Sequence, residues 1–152
     1  SKTIFSLLSS IEDKSMKSID FLREQHKGII VISNDNQFSN KIKIKKNSTI
    51  QIFHLKLDKI FLEKDLKSIK VFNFNDKLRI KSINHVDGAK KNELGIEIFM
   101  DSVKDLENLF LEFNYKIISC DRVLFSGLTK KDLSRGQWRN LTKQEIINLQ
   151  SF

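Results

Sequence analysis

The sequence predicts an α+β fold: a mainly antiparallel sheet of about six to eight short strands, an N-terminal helix, one helix near 101–114 and short C-terminal helices. Three observations predict it. Apolar residues recur with period two through most of residues 28–100, whereas a clear helical period follows at 101–114. No regular alternation of strand and helix, as in a βαβ fold, is visible. No fixed-period repeat and no Gly/Ser or Pro linker divides the chain, so residues 1–152 read as one domain. That length suffices to bury roughly 70% of the surface of the unfolded chain without a disulfide or metal.

Residues 3–25 place Ile4, Leu8, Ile11, Ile19 and Leu22 at helical spacing, with Gly28 as the stop. From Gly28 the period becomes two: residues 28–33 read as a β-branched strand and 34–40 as a polar loop. Lys41-Ile42-Lys43-Ile44-Lys45-Lys46 alternates strictly, Asn47-Ser48 supplies turn chemistry, and Thr49-Ile50-Gln51-Ile52 alternates again. This predicts a hairpin with one wet and one dry face. At Ile52-Phe53 the apolar parity slips to Phe53, Leu55 and Leu57, which predicts a β-bulge. Residues 60–63, 69–74, 77–83 and 94–100 follow as strands. The helix at 101–114 carries Val103, Leu106, Phe110 and Phe113 on one side, with Ser102 and Asp105 at capping-box spacing. Residues 115–125 return as a strand. Thr129 with Asp132, and Thr142 with Glu145, mark two short helices around a break at Gly136.

Composition narrows the setting. One cysteine, Cys120, cannot form an intramolecular disulfide, which points to a reducing compartment: the cytoplasm, an organelle stroma or a virus-infected cytosol. The apolar start is interrupted by Ser9, Ser10, Glu12 and Asp13 before it reaches signal-peptide length. The longest aliphatic run, Ile29 to Ile32, falls far short of the ~20 residues a membrane span needs.

Recognisable motifs for catalysis or metal binding are mostly absent from the sequence. His26, His54 and His85 have no second His or Cys at i+3 or i+4, so no zinc pair is formed. Neither phosphate-cradling glycine loop occurs, nor the G-x-S-x-G serine elbow. Cys120, inside an apolar strand, reads as a buried inert thiol, with Arg122 two residues on sharing its face. Glu93, Glu97, Asp101, Asp105, Glu107 and Glu112 read as a solvated face; an enzyme would need a concave site gathering them with a histidine. No catalytic residue, metal or cofactor is therefore assigned.

Charge is more informative. The net +8 includes a lysine excess of the kind A/T-rich codons produce, but it is unevenly spread: residues 41–91 hold 14 basic and 5 acidic groups, residues 92–113 one basic and 6 acidic. Lys41, Lys43 and Lys45 (with Lys46 beside them) and Lys77, Arg79 and Lys81 alternate opposite apolar residues, ~7 Å apart along each predicted strand. Side by side they would form a cationic sheet face. Arg135-Gly136-Gln137-Trp138-Arg139 holds the only tryptophan and offers a second contact through Arg135, Trp138 and Arg139. The sequence thus predicts a small non-enzymatic accessory protein holding RNA or single-stranded DNA without sequence preference. The alternative is an assembly factor, adaptor or inhibitor docking an acidic protein.

Overall fold

The computed structural model describes residues 15–19, 26–71 and 77–151. In chain order it contains β1 (Lys17–Ser18), β2 (His26–Gly28), β3 (Ile32–Ser33) and α1 (Asn36–Ile44), then a 3-10 turn at Lys46–Ser48. There follow β4 (Gln51–Leu57), α2 (Glu63–Val71), β5 (Leu78–His85) and β6 (Glu93–Met100). The chain continues through α3 (Val103–Glu112), β7 (Ile117–Phe125), β8 (Leu128–Thr129) and α4 (Lys143–Gln150). The α+β class stands. The helix expected at 3–25 lies largely outside the described residues, and within them Lys17–Ser18 is a strand paired antiparallel with β3.

Six strands form the main sheet in the order β2-β7-β4-β6-β5, with β8 added to β7. All pairs are antiparallel except β2 with β7. Parity sets what each face carries. Phe53 lies opposite Ile96 and Arg122, and Leu55 opposite Leu94 and Cys120, so these six side chains share the buried face. His54 lies opposite Gly95 and Asp121, and Ile52 opposite Glu97, on the other face. The parity slip at Ile52-Phe53 is a bulge: the β4–β7 register shifts at that step.

Two segments read as strands are helices. Asp35 caps α1, its Oδ1 accepting from the Gln37 and Phe38 amides at 3.0 and 3.1 Å. Such a cap is worth about 1 kcal/mol. Phe38 and Ile42, four apart, are the buried residues of α1, each worth about 1.5–3 kcal/mol of transfer out of water. The Lys–Ile alternation at 41–46 is thus a helix turning through one face, with Ile44 left exposed. Residues 63–71 form α2 rather than parts of two strands, burying Leu66 and Ile69 three apart, with Glu63 and Asp65 in the first turn where the helix dipole favours them. The remainder of the strand expected at 69–74 lies outside the described residues. Among the described residues α4 is the one helix after β8: Asp132 and Gly136 adopt φ of 62° and 79°, which breaks any helix at 129–136.

Two apolar clusters pack on the sheet. The larger sets the buried face of β4, β5 and β6 against α2 and α3, around Phe53, Ile96, Leu106 and Phe110. The smaller joins Phe38 and Ile42 of α1 and Leu149 of α4 to Val31, Phe125 and Leu128.

Candidate functional site

The two lysine ladders do not lie on neighbouring strands: the first is not on a strand at all. Lys41 and Lys43 are exposed on α1, Lys45 caps its C-terminus, and Lys46 begins the 3-10 turn. Lys45 Nζ donates to the Gln150 carbonyl, tying α1 to α4. The second set does lie along a strand: Lys77 precedes β5, and Arg79 and Lys81 are exposed on it. It sits on the edge strand opposite β2 and packs with the larger cluster, whereas α1 belongs to the smaller one. The β5 cations are also interleaved with other groups. The Arg79 guanidinium lies over the Phe99 ring at 4.4 Å, and Lys81 Nζ is 4.0 Å from Glu97 Oε2.

Arg135, Trp138 and Arg139 lie on the exposed connection before α4, with Trp138 42% exposed. Arg139 is already engaged: its two terminal nitrogens donate to the two Glu145 oxygens at 2.7 Å each.

The six carboxylates of 93–112 do not gather. Glu93 bonds His54 at 3.0 Å and Glu97 accepts from Ser82 Oγ at 3.0 Å, both on the half-buried sheet face. Glu107 lies on the other side, Oε1 3.7 Å from Nε2 of His26, whose side chain is 3% exposed. Among the described residues no group of three or more His, Cys, Asp and Glu could hold a metal ion. An open groove of about 650 Å³ is lined by Lys59, Ile60, Leu62, Lys64, Asp65 and the 113–115 turn. Its Tyr115 hydroxyl donates to Asp65 and accepts from the Leu62 amide, and burial with the Asp65 charge raises its pKa.

A different set of residues does converge. At the seam between the two clusters, Arg122 of β7 is 1% exposed. Its Nε and Nη2 donate to the Ile29 carbonyl at 2.9 and 2.6 Å, and Nη1 to Gln51 Oε1 at 3.4 Å. Gln51, also 1% exposed, donates from Nε2 to the Met100 carbonyl. The guanidinium packs over Phe125 at 4.5 Å. β2 can approach because residue 28 is glycine: φ is 107°, and a Cβ there would lie 2.1 Å from the Arg122 carbonyl oxygen. His26 and Cys120 pair in the same β2–β7 register, bringing His26 and Glu107 alongside.

This buried polar strip holds a permanent cation in a poorly solvated place, because guanidinium does not lose its proton. Such a charge favours an anion or a developing negative charge far more than it would in water. Cys120 supplies no nucleophile: burial first, then the Glu107 and Asp121 charges, push its thiol up to about 12. The buried-thiol reading therefore stands. Strand parity already placed Arg122 on the face of Cys120; the arrival of β2, Gln51 and Glu107 at that face is a tertiary event with no local signal.

No family model and no curated protein matches this chain. Among solved structures it is similar to one described as a crystal structure of a pseudouridylate synthase, with a TM-score of 0.75 and 18% identity. The match covers 97% of this chain and 65% of that one, so the chain spans about two-thirds of that protein's length. At this identity the likeness establishes the fold. It also corrects the expectation of a non-enzymatic subunit, or of a docking module: nearly the whole chain adopts a fold that carries an enzyme. No helix among the described residues is long and apolar enough to cross a membrane.

Proposed function

We propose that this chain is an RNA-modifying enzyme, or the catalytic portion of one, that isomerises uridine to pseudouridine within RNA. The observation that carries the reading is the likeness, over 97% of this chain and 65% of the other, to a structure described as a pseudouridylate synthase. The chemistry suits what the chain contains. The N1–C1′ bond breaks, a C5–C1′ bond forms, the C5 proton leaves to solvent and N1 takes a proton up. Atoms balance without an oxidant or co-substrate. Cleavage leaves negative charge on the displaced base, and Arg122, its guanidinium bonded to the Ile29 carbonyl and Gln51, is proposed to stabilise that charge through its field rather than by contact. The polyanionic substrate also suits a chain of net charge +8.

The reaction supplies its own assay. A transcript carrying tritium at uridine C5 releases one tritium for each pseudouridine formed. The full chain should release tritium with matching pseudouridine on nucleoside analysis. Arg122→Met should lower kcat by at least about a hundredfold, the scale of losing one charge-stabilising group, while circular dichroism reports a retained fold. Replacing Glu107, and Asp20 and Glu24 (which precede β2 in sequence and lie outside the described residues), by their amides would locate any carboxylate the reaction needs. No tritium release from structured or unstructured transcripts would overturn the reading.

A further inference from the structure

We infer that the connection between β8 and α4 is a strap that grips the RNA backbone beside the target, with single-stranded RNA as its occupant. This rests on the RNA reading above and deepens it. Residues 130–143 carry five cations against one carboxylate, Asp132. From Lys131 to Asn140 the chain is neither helix nor strand and is exposed throughout except for half-buried Leu133. It is nonetheless tied down at both ends. β8 pins one end to β7, and the Leu133 amide to the Lys130 carbonyl and the Gln137 amide to the Ser134 carbonyl close two turns. The Arg139–Glu145 pair and the Thr142–Glu145 capping box anchor the other end to α4.

The cations divide into two kinds. Lys130 pairs with Asp121 at 2.7 Å and Arg139 with Glu145, so these hold the strap in place. Lys131, Arg135 and Lys143 are exposed and form no ion pair among the described residues, which leaves them available for phosphates. Trp138, 42% exposed between them, presents a ring surface that any unpaired base can stack on. The strap leaves the sheet at β8, which pairs with β7, the strand that carries Arg122. Net positive charge with a half-exposed aromatic ring complements single-stranded RNA; a duplex would offer no base face to Trp138.

The experiment measures binding and needs no turnover. A fluorescein-labelled single-stranded RNA is titrated with the full chain at several salt concentrations, using wild type, the triple variant K131E/R135E/K143E, its milder triple-Gln counterpart, and Trp138→Ala. Removing three phosphate contacts should flatten the slope of log K against log salt by about 2, at ~0.7 per contact on a single strand. Trp138→Ala should weaken binding about tenfold with the slope unchanged. A triple-Gln variant that keeps both the wild-type slope and affinity would overturn the inference. Intact binding through the strap without tritium release would remove the proposed activity and leave this inference standing. Tritium release with a salt slope indifferent to the strap would do the reverse.

Discussion

Arg139 and Glu145 meet through two parallel bonds of 2.7 Å, and the Thr142 amide donates to the same carboxylate at 2.8 Å. Arg139 first, then that amide, hold the Glu145 pKa down to about 2. A carboxyl depressed in the folded state contributes stability that is present above its ordinary value near 4.3 and lost as pH falls through about 2. Because the pair is exposed, salt should weaken it. Hydrogen exchange read by mass spectrometry, corrected for intrinsic rates, should show α4 protection steady above pH ~5 and falling as pH drops toward 2. Glu145→Gln should lower protection already at neutral pH and remove that acid-dependent step. A wild-type α4 whose protection ignores both acid and ~1 M salt would show that the pair does not hold the helix. Cys120 is the contrasting case: burial, with the Glu107 and Asp121 charges, outweighs the help its charged form gets from Arg122, so it stays a thiol and behaves as an apolar side chain.

At the scale of elements, α1 exists because of a cap and two buried residues rather than its lysines. Asp35→Ala removes the acceptor for the Gln37 and Phe38 amides and should cost about 1 kcal/mol. The denaturation midpoint should fall with the m-value unchanged, since the surface exposed on unfolding is the same. An unchanged midpoint would assign the helix entirely to Phe38 and Ile42. The same element explains what the sequence concealed. Six residues of strict alternation at 41–46 satisfy a strand template, whereas the competing signals, Asp35 and the Phe38–Ile42 spacing, lie mostly upstream. The strand reading of 63 and 69–71 failed because short apolar runs fit either period, and the burial of Leu66 and Ile69 in the larger cluster favours the helix. Where one face of a strand is fully buried the pattern was legible: the β4 parity slip marked the bulge, and β5, β6, α3 and the Thr142–Glu145 box lie where spacing placed them. The buried strip was legible only as far as Arg122 sharing a face with Cys120, because His26, Gln51 and Glu107 reach it from three other elements.

At the scale of the whole molecule, two apolar clusters share one sheet, and Arg122 sits between them. It lies opposite Phe53 of the larger cluster in register, and its guanidinium packs on Phe125 of the smaller. Side chains in separate clusters share no partners, so their truncations should add. Leu106→Ala in the larger should cost about 2–5 kcal/mol and Ile42→Val in the smaller about 0.5–1.5. The double variant should fall within ~0.5 kcal/mol of the sum. Arg122 should behave differently. Arg122→Met leaves the Ile29 carbonyl and Gln51 Oε1 without their donor, at about 1–3 kcal/mol for each buried group left unsatisfied. Because the guanidinium also stacks on Phe125, Arg122→Met combined with Phe125→Leu should depart from additivity by at least ~0.5 kcal/mol. Urea denaturation of the single and double variants measures all of these terms. Additivity across the clusters with coupling at Arg122 would identify the buried arginine as the point where the two halves meet. Strict additivity in every pair would mean that its place between the clusters has no energetic consequence, and that any reason for keeping a charge there must come from what it binds.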